Sequence, residues 1–326
     1  MELRKVQKTS GGTFFVCLPK GWAERSGLSK SSVISVSESA NGRLVLDAKY
    51  GVEHTPQVAV VKPSAFLNRE IVGKYLLGYD LISVEAKDRI SNEDREQVKL
   101  ASSGLIGLEI VEEDHAQIVM QTLLEPSAYP PEKILRREYS LAAGMHRDAV
   151  SAFINGDVHL AKNVIARDNE VNRLYFLLVR ILRTVIQNPG LSEKLGILPI
   201  DCLDYRLTAS LVESIGDQSV QIAGKAMRFK EEKLAKEVSN VSLKFHKLAF
   251  EAHENALTAL FTRDVALAES VRTMREDVLA VFREAEAIAS AQPIDVAPHS
   301  LAVASLIGRI YENSVDITDL VMPKTA

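Results

Sequence analysis

The feature that most constrains this chain is a long stretch that occurs twice. Leu211 to Ala223, LVESIGDQSVQIA, returns as Leu306 to Thr318, LIGRIYENSVDIT, with Ile215/Ile310, Ser219/Ser314, Val220/Val315 and Ile222/Ile317 in step. Positions 211, 212, 215, 219, 222 and 223 keep the spacing of an amphipathic helix buried along one stripe. A second echo lies upstream of each copy. The run MHRDAVSAFINGDVHLAKNVIARDNEV from Met145 matches AHENALTALFTRDVALAESVRTMREDV from Ala252, aligning His146 with His253, Asp157 with Asp264 and Val171 with Val278. A unit of two or more long helices is therefore present in tandem. The offset between copies falls from 107 residues upstream to 95 downstream, because the break from Asn188-Pro189-Gly190 to Pro199 is longer than that from Gln292-Pro293 to Pro298.

Two short runs sharpen this picture: DNEVNRL at Asp168 to Leu174, and ESIGD at Glu213 to Asp217. The second is close to the E-R-I-G-D signature on a late bundle helix of the PhoU family, and the duplicated helical unit resembles that family from about Arg137 to Met322. The resemblance implies two tandem three-helix bundles, expected over residues 132–230 and 236–324, and a role in regulating phosphate uptake.

The first 50 residues look different. Thr13 to Leu18, TFFVCL, is a β-rich run between Gly11-Gly12 and Pro19. Lys20 to Ser26 can form one or two helical turns before Gly27. Val33-Ile34-x-Val36 and Leu44-Val45-Leu46 flank Asn41-Gly42, a strong hairpin signal. Cys17, inside the apolar run, is expected to be a small core residue. So short a segment has too little core to stand alone. Its pattern, R-K-V, then G-G-T-F-F-V-x-L-P-K, then G-L-x-K-x-x-x-I-x-V, resembles the AbrB/SpoVT/MazE swapped-hairpin domain. The resemblance implies a homodimer built by interleaved strands and a DNA face made by Arg4, Lys5, Lys8, Lys20 and Arg25. Thr13 and the Ala23-Glu24 pair depart from the basic residues that many members carry there.

Charge distribution agrees with a basic head. Six Lys/Arg stand against Glu2 and Glu24 in residues 1–30, whereas the whole chain of 326 residues carries a net charge of −4. A basic end on an acidic body predicts that this end meets an anionic partner. No apolar run approaches a membrane span, and the N-terminal MELRKVQK has no hydrophobic segment of a signal peptide, so the chain is expected to be cytoplasmic.

Residues 55–125 predict a small α/β sandwich. Strands are expected at Gln57 to Val61, Leu81 to Val84, Leu108 to Val111 and Ile118 to Leu123. Helices are expected at Asn68 to Leu77 and Asn92 to Ser103, with Asn92 as N-cap. Pro126 to Pro131 marks a boundary in extended chain before the helical body. The fold class is therefore multidomain α+β: a swapped-hairpin domain over 1–50, the α/β middle, and two mostly α bundles.

The residues with chemical potential are few. Glu213 and Asp217 are four apart on one helix face, where like charges disfavour the helix unless water, a base or a cation intervenes. The PhoU resemblance implies that such E/D-x-x-x-D pairs hold iron, zinc or another divalent cation, with Asp168 and Asn172 as a second, half-neutral pair. In the second copy these positions become Arg275, Leu279, Gly308 and Glu312, so any metal is expected in the first bundle alone. His146 and His253 recur at equivalent positions, which predicts a structural role within each bundle. His246 and His253 share a helix face with nothing to complete a site, and Arg206 is expected to pack or cap, the alternatives being to pair with a carboxylate or bind an anion such as phosphate. No nucleophile, base and phosphate clamp occur together, which argues against an enzyme. The favoured reading is a DNA-binding regulator of phosphate uptake. The alternative is a dimeric adaptor that contacts a phosphate transporter ATPase or a sensor kinase without touching DNA.

Overall fold

The computed structural model describes residues 2–38, 42–48, 56–229 and 234–323, in two units that divide at Pro56/Gln57. In the N-terminal unit, β1 (Gln7–Lys8) pairs antiparallel with β2 (Phe14–Phe15), and β3 (Ser35–Glu38) with β4 (Leu44–Asp47). These are two separate two-stranded sheets, joined by α1 (Lys20–Arg25). Asn41 of the expected hairpin turn lies outside the described residues. Of the expected run Thr13–Leu18 only Phe14–Phe15 is strand, the strand expected at Val33–Val36 lies two residues later, and no residue of the unit with described burial is buried. Cys17 is exposed. Its expected place in a core fails because the described residues of a single copy of this unit form no core.

The second unit begins with a four-stranded sheet of order β5-β6-β8-β7, made by β5 (Val58–Val61), β6 (Leu81–Glu85), β7 (Leu108–Glu113) and β8 (Gln117–Thr122). β5 and β6 are parallel, and the remaining pairs antiparallel. Helices α2 (Leu67–Leu76) and α3 (Asn92–Ser103) cover one face. Leu67, Ile71, Tyr75 and Val98 meet Val61, Ile82, Val84, Ile118 and Met120 there. The alternation along β5, Val58 and Val60 exposed but Ala59 and Val61 buried, is that of a sheet with one covered face. The N-cap of α3 is Ser91 instead of Asn92: its side chain accepts from the Asp94 N–H, and Asn92 becomes the first helical residue.

From Pro131 the chain is helical. Pro130 keeps an extended conformation, φ −57° and ψ 128°, but Pro131 does not. After a 3₁₀ turn (Pro126–Ala128), Pro131 opens the next helix, where its missing N–H has no helical partner to lose. The first bundle comprises α4 (Pro131–Asn155), α5 (Val158–Gln187) and α7 (Asp201–Ala226), with the short α6 (Pro189–Leu195) filling the break between α5 and α7. The second comprises α8 (Lys236–Thr262), α9 (Val265–Thr273) with α10 (Arg275–Ser290), and α11 (Ala297–Thr318).

The repeat is visible in the caps. α4 ends at Gly156, with φ 64°, and Asp157 caps α5 by accepting from the Leu160 N–H at 2.9 Å. In the second copy Arg263 takes the same left-handed conformation, φ 55°, and Asp264 accepts from Leu267 N–H at 3.0 Å. The long helix after that cap is continuous as α5 but interrupted at Met274 in the second bundle. The doubled serines also behave alike. Ser219 donates to the Ile215 carbonyl at 2.7 Å and Ser314 to the Ile310 carbonyl at 2.9 Å, both buried. Among the described residues no helix is long and apolar enough to cross a membrane.

Arg180 of α5 fixes the sheet layer to the first bundle. Its buried guanidinium donates to the carbonyls of Tyr75 (2.5 Å) and Gly78 (3.2 Å), at the C-terminal end of α2. It also lies 4.9 Å from the Tyr75 ring centre and 4.0 Å from the Asp80 carboxylate. A cation here satisfies carbonyls that the end of α2 leaves open.

Candidate functional site

The acidic residues singled out by the sequence share one side of the first bundle. Asp168 and Asn172 are half-buried on α5, and Glu213 and Asp217 stand on α7, which packs against it. Asn172 donates to Asp168 at 3.0 Å. Burial pushes the carboxyls of Asp168, Glu213 and Asp217 up from their ordinary range. Their mutual charge adds to this: Asp217 acts on Asp168, and both act on Glu213.

The sequence reading missed a fourth member. Glu138, on α4, is fully buried, and neither carboxylate oxygen has a hydrogen-bond partner. Burial first, then the neighbouring Glu213, holds its carboxyl well above the usual range, against the opposing pull of Arg206. Arg206 stacks over Tyr175 at 4.8 Å. In the sequence Glu138 is one of several charges in EKILRREYS, and its only mark is its repeat position, which corresponds to the buried Phe245.

The second bundle supplies an internal comparison. The positions equivalent to Asp168 and Asp217 are Arg275 and Glu312, and there the two side chains form an ion pair at 2.8 Å. The same two helix faces are thus close enough to join opposite charges, and in the first bundle they present two carboxylates. Among the described residues, no three His, Cys, Asp or Glu side chains converge closely enough to hold a metal ion. The arrangement does not fit a closed metal centre with all ligands from protein. Two carboxylates can supply only part of a divalent cation's oxygen shell, and water would have to fill the remaining positions.

The histidines are arranged in a way the sequence did not reveal. His146 and His253 do not serve separate bundles; they meet. His146 Nδ1 lies 3.2 Å from His253 Nε2, and His146 Nε2 lies 3.2 Å from His246 Nδ1. Tyr139 completes the row, its hydroxyl 2.9 Å from His253 Nδ1. Because Tyr139 and His246 are repeat equivalents, as are His146 and His253, the row has a pseudo-two-fold axis between its two central rings. It lies where α4 of one bundle packs on α8 of the other. Gln218 and Asn313, also equivalent, approach at 3.5 Å where α7 meets α11. Burial lowers all three imidazoles, His246 to about 4 and His253 to about 3, and the row is a neutral structural seam.

In the N-terminal unit Arg4, Lys5, Lys8, Lys20 and Arg25 are all exposed. Arg4 pairs with Glu2, and Lys20 lies 3.7 Å from Glu24. Lys8 sits 5.1 Å from the centre of the Phe14 ring across the first hairpin.

With this geometry in place, the relationships are specific. Residues 135–226, the first bundle, match the PhoU domain family. The fold is similar to PhoU from Pseudomonas aeruginosa, with a TM-score of 0.53 and 20% identity over 60% of this chain and 95% of that one. PhoU from Streptococcus pneumoniae, a phosphate transport system regulatory protein, aligns with a TM-score of 0.49 and 17% identity over 59% of this chain and 91% of that one. No curated protein matches the chain in sequence. The likeness to the Pseudomonas fold covers more of this chain than the PhoU match over residues 135–226, so it extends beyond the first bundle.

Proposed function

We propose that the chain is a PhoU-like regulator of phosphate uptake that acts on DNA through its N-terminal unit. The observation that carries the DNA part is the head itself. All five basic side chains are exposed, and among the described residues of the unit none is buried, so a second copy would supply a core and double the positive charge. The resemblance to swapped-hairpin domains supplies the same expectation. In this reading the two bundles respond to a phosphate transporter ATPase or a sensor kinase, and the paired heads carry the response to promoters. A cation on the Asp168/Asp217 side of the first bundle belongs to the same reading. It would take the place that Arg275 takes opposite Glu312.

The test is titration of the full-length protein against genomic fragments at two salt concentrations. Binding should be strongest upstream of phosphate-transport genes and should weaken steeply with salt, because counterions leave the phosphates on binding. Lys8→Ala and Lys20→Ala should each reduce the salt slope by about one. A protein that binds no fragment above background, yet still associates with a transporter ATPase or sensor kinase, would establish the adaptor reading instead.

A further inference from the structure

The two edges of the four-stranded sheet are built differently. The β7 edge is interrupted by a register shift between Ile110 and Glu112 and carries Glu109, Glu112 and Glu113, features that blunt a strand against pairing. The β5 edge has neither. Its residues are Val58-Ala59-Val60-Val61, unbroken and uncharged, with Val58 56% and Val60 55% exposed. Among the described residues, β5 pairs only with β6. The Leu81 N–H donates to the Gln57 carbonyl, and Ala59 sits opposite Ile82. By alternation, Gln57, Ala59 and Val61 bond to β6, while Val58 and Val60 turn their N–H and C=O groups to the open edge.

We propose that this edge is the site where a second copy of the chain adds its own β5, antiparallel, to form one continuous eight-stranded sheet. The strand is self-complementary. Centred on Val60, the two-fold pairing places Val60 opposite Val60 and Val58 opposite Lys62, with no like charges facing each other. Ala59 and Val61 keep their burial under α2 and α3, since only edge groups are used. A second copy is favoured over a foreign strand for another reason. The strand directly follows a head that needs a partner copy, and a head dimer would hold two β5 strands at a high local concentration. The pairing itself does not require the head to be the dimer contact.

The experiment uses the full chain carrying Cys17→Ser, leaving the buried Cys202 in place. Val60→Cys in this background should form a disulfide-linked dimer on mild oxidation, because opposed residues of an antiparallel pair lie within disulfide reach. Val111→Cys on the blunted β7 edge should remain unlinked. Without oxidation, Val60→Lys should make the β5 amides exchange about tenfold faster or more, as the two-fold places lysine against lysine. A chain that is dimeric but neither crosslinks at position 60 nor changes its β5 exchange overturns the strand pairing and leaves the head reading intact. A chain that is monomeric at all concentrations overturns both.

Discussion

Replacing Glu138 by methionine should make the protein more stable at neutral pH, which is the reverse of the usual result for a buried residue. The carboxyl is fully buried, and both of its oxygens lack partners. It ionises near 4.5 in an unfolded chain and is held well above that in the fold, first by burial and then by Glu213. A carboxyl kept neutral in the fold at pH 7, but ionised once unfolded, lowers stability there by at most about 3 kcal/mol. The sign follows: its contribution is intact below 4.5 and is lost as pH rises. Methionine has no such dependence, and the equivalent position of the second bundle is already the buried Phe245. The histidine seam works in the opposite direction. Its imidazoles are neutral in the fold, so each lowers stability by about 2 kcal/mol at pH 5 relative to pH 7, through protonation of the unfolded chain. Wild type should therefore still lose stability between pH 7 and 5, by about 3 kcal/mol, because the three imidazoles together outweigh what the one carboxyl regains. Glu138→Met should start up to about 3 kcal/mol higher at pH 7 and fall steeply, meeting wild type near pH 4.5. Urea unfolding at pH 7, 6, 5 and 4.5, with chelator present, reads this directly. Parallel curves for the two proteins would refute the reasoning, since they would mean that Glu138 is ionised and has a partner in the fold.

Two further predictions concern the elements that flank this site. Arg180→Leu leaves the Tyr75 and Gly78 carbonyls without their donor and should cost about 3 kcal/mol. Hydrogen exchange should accelerate in the sheet layer before the bundle, and unchanged exchange in β5–β8 would show that Arg180 does not secure that layer. Divalent cations should raise the melting temperature of wild type and of Arg275→Ala alike, but not of Asp217→Asn. Elemental analysis that finds equal metal in all three would exclude the Asp168/Asp217 pair as its holder.

How much could be read in advance depended on whether the signal was periodic and local. The duplicated helices and the β-rich head stood out, because helix periodicity and turn residues are written over neighbouring positions, and Asp157 and Asp264 stood out as repeat equivalents although their capping role did not. The caps were also where local reading slipped: Ser91 and Asn92 are both good N-cap residues, and Ser91 was the one selected. The side-chain row Tyr139–His253–His146–His246 was illegible, because it joins residues roughly a hundred positions apart through the packing of two bundles. The repeat was nonetheless a usable clue. Equivalent polar residues that are buried in both copies are candidates to meet on the axis that relates the copies. Glu138 was hidden for the opposite reason: it breaks the repeat, and charge alone does not distinguish a buried carboxyl from a solvated one.

That contrast also indicates which parts of the molecule hold it together and which perform its chemistry. The seam is symmetric: His146 meets His253, and Gln218 meets Asn313, its own equivalent. Symmetric contacts of this kind join two similar bodies whatever either body does, and exchanging the copies would leave them unchanged. The acidic side is not symmetric. Where the second bundle has Phe245, Arg275 and Glu312, the first has Glu138, Asp168 and Asp217. The second set is self-satisfied, with an apolar ring in the core and an ion pair above it. The first set lowers stability on every count, by burying a carboxyl without partners and by facing like charges across two helices. A fold that can place stable residues at these positions, and does so in one copy, has no packing reason for the other arrangement. The carboxylates of the first bundle are therefore not placed by packing, and the proposed cation is the reading that gives them a role.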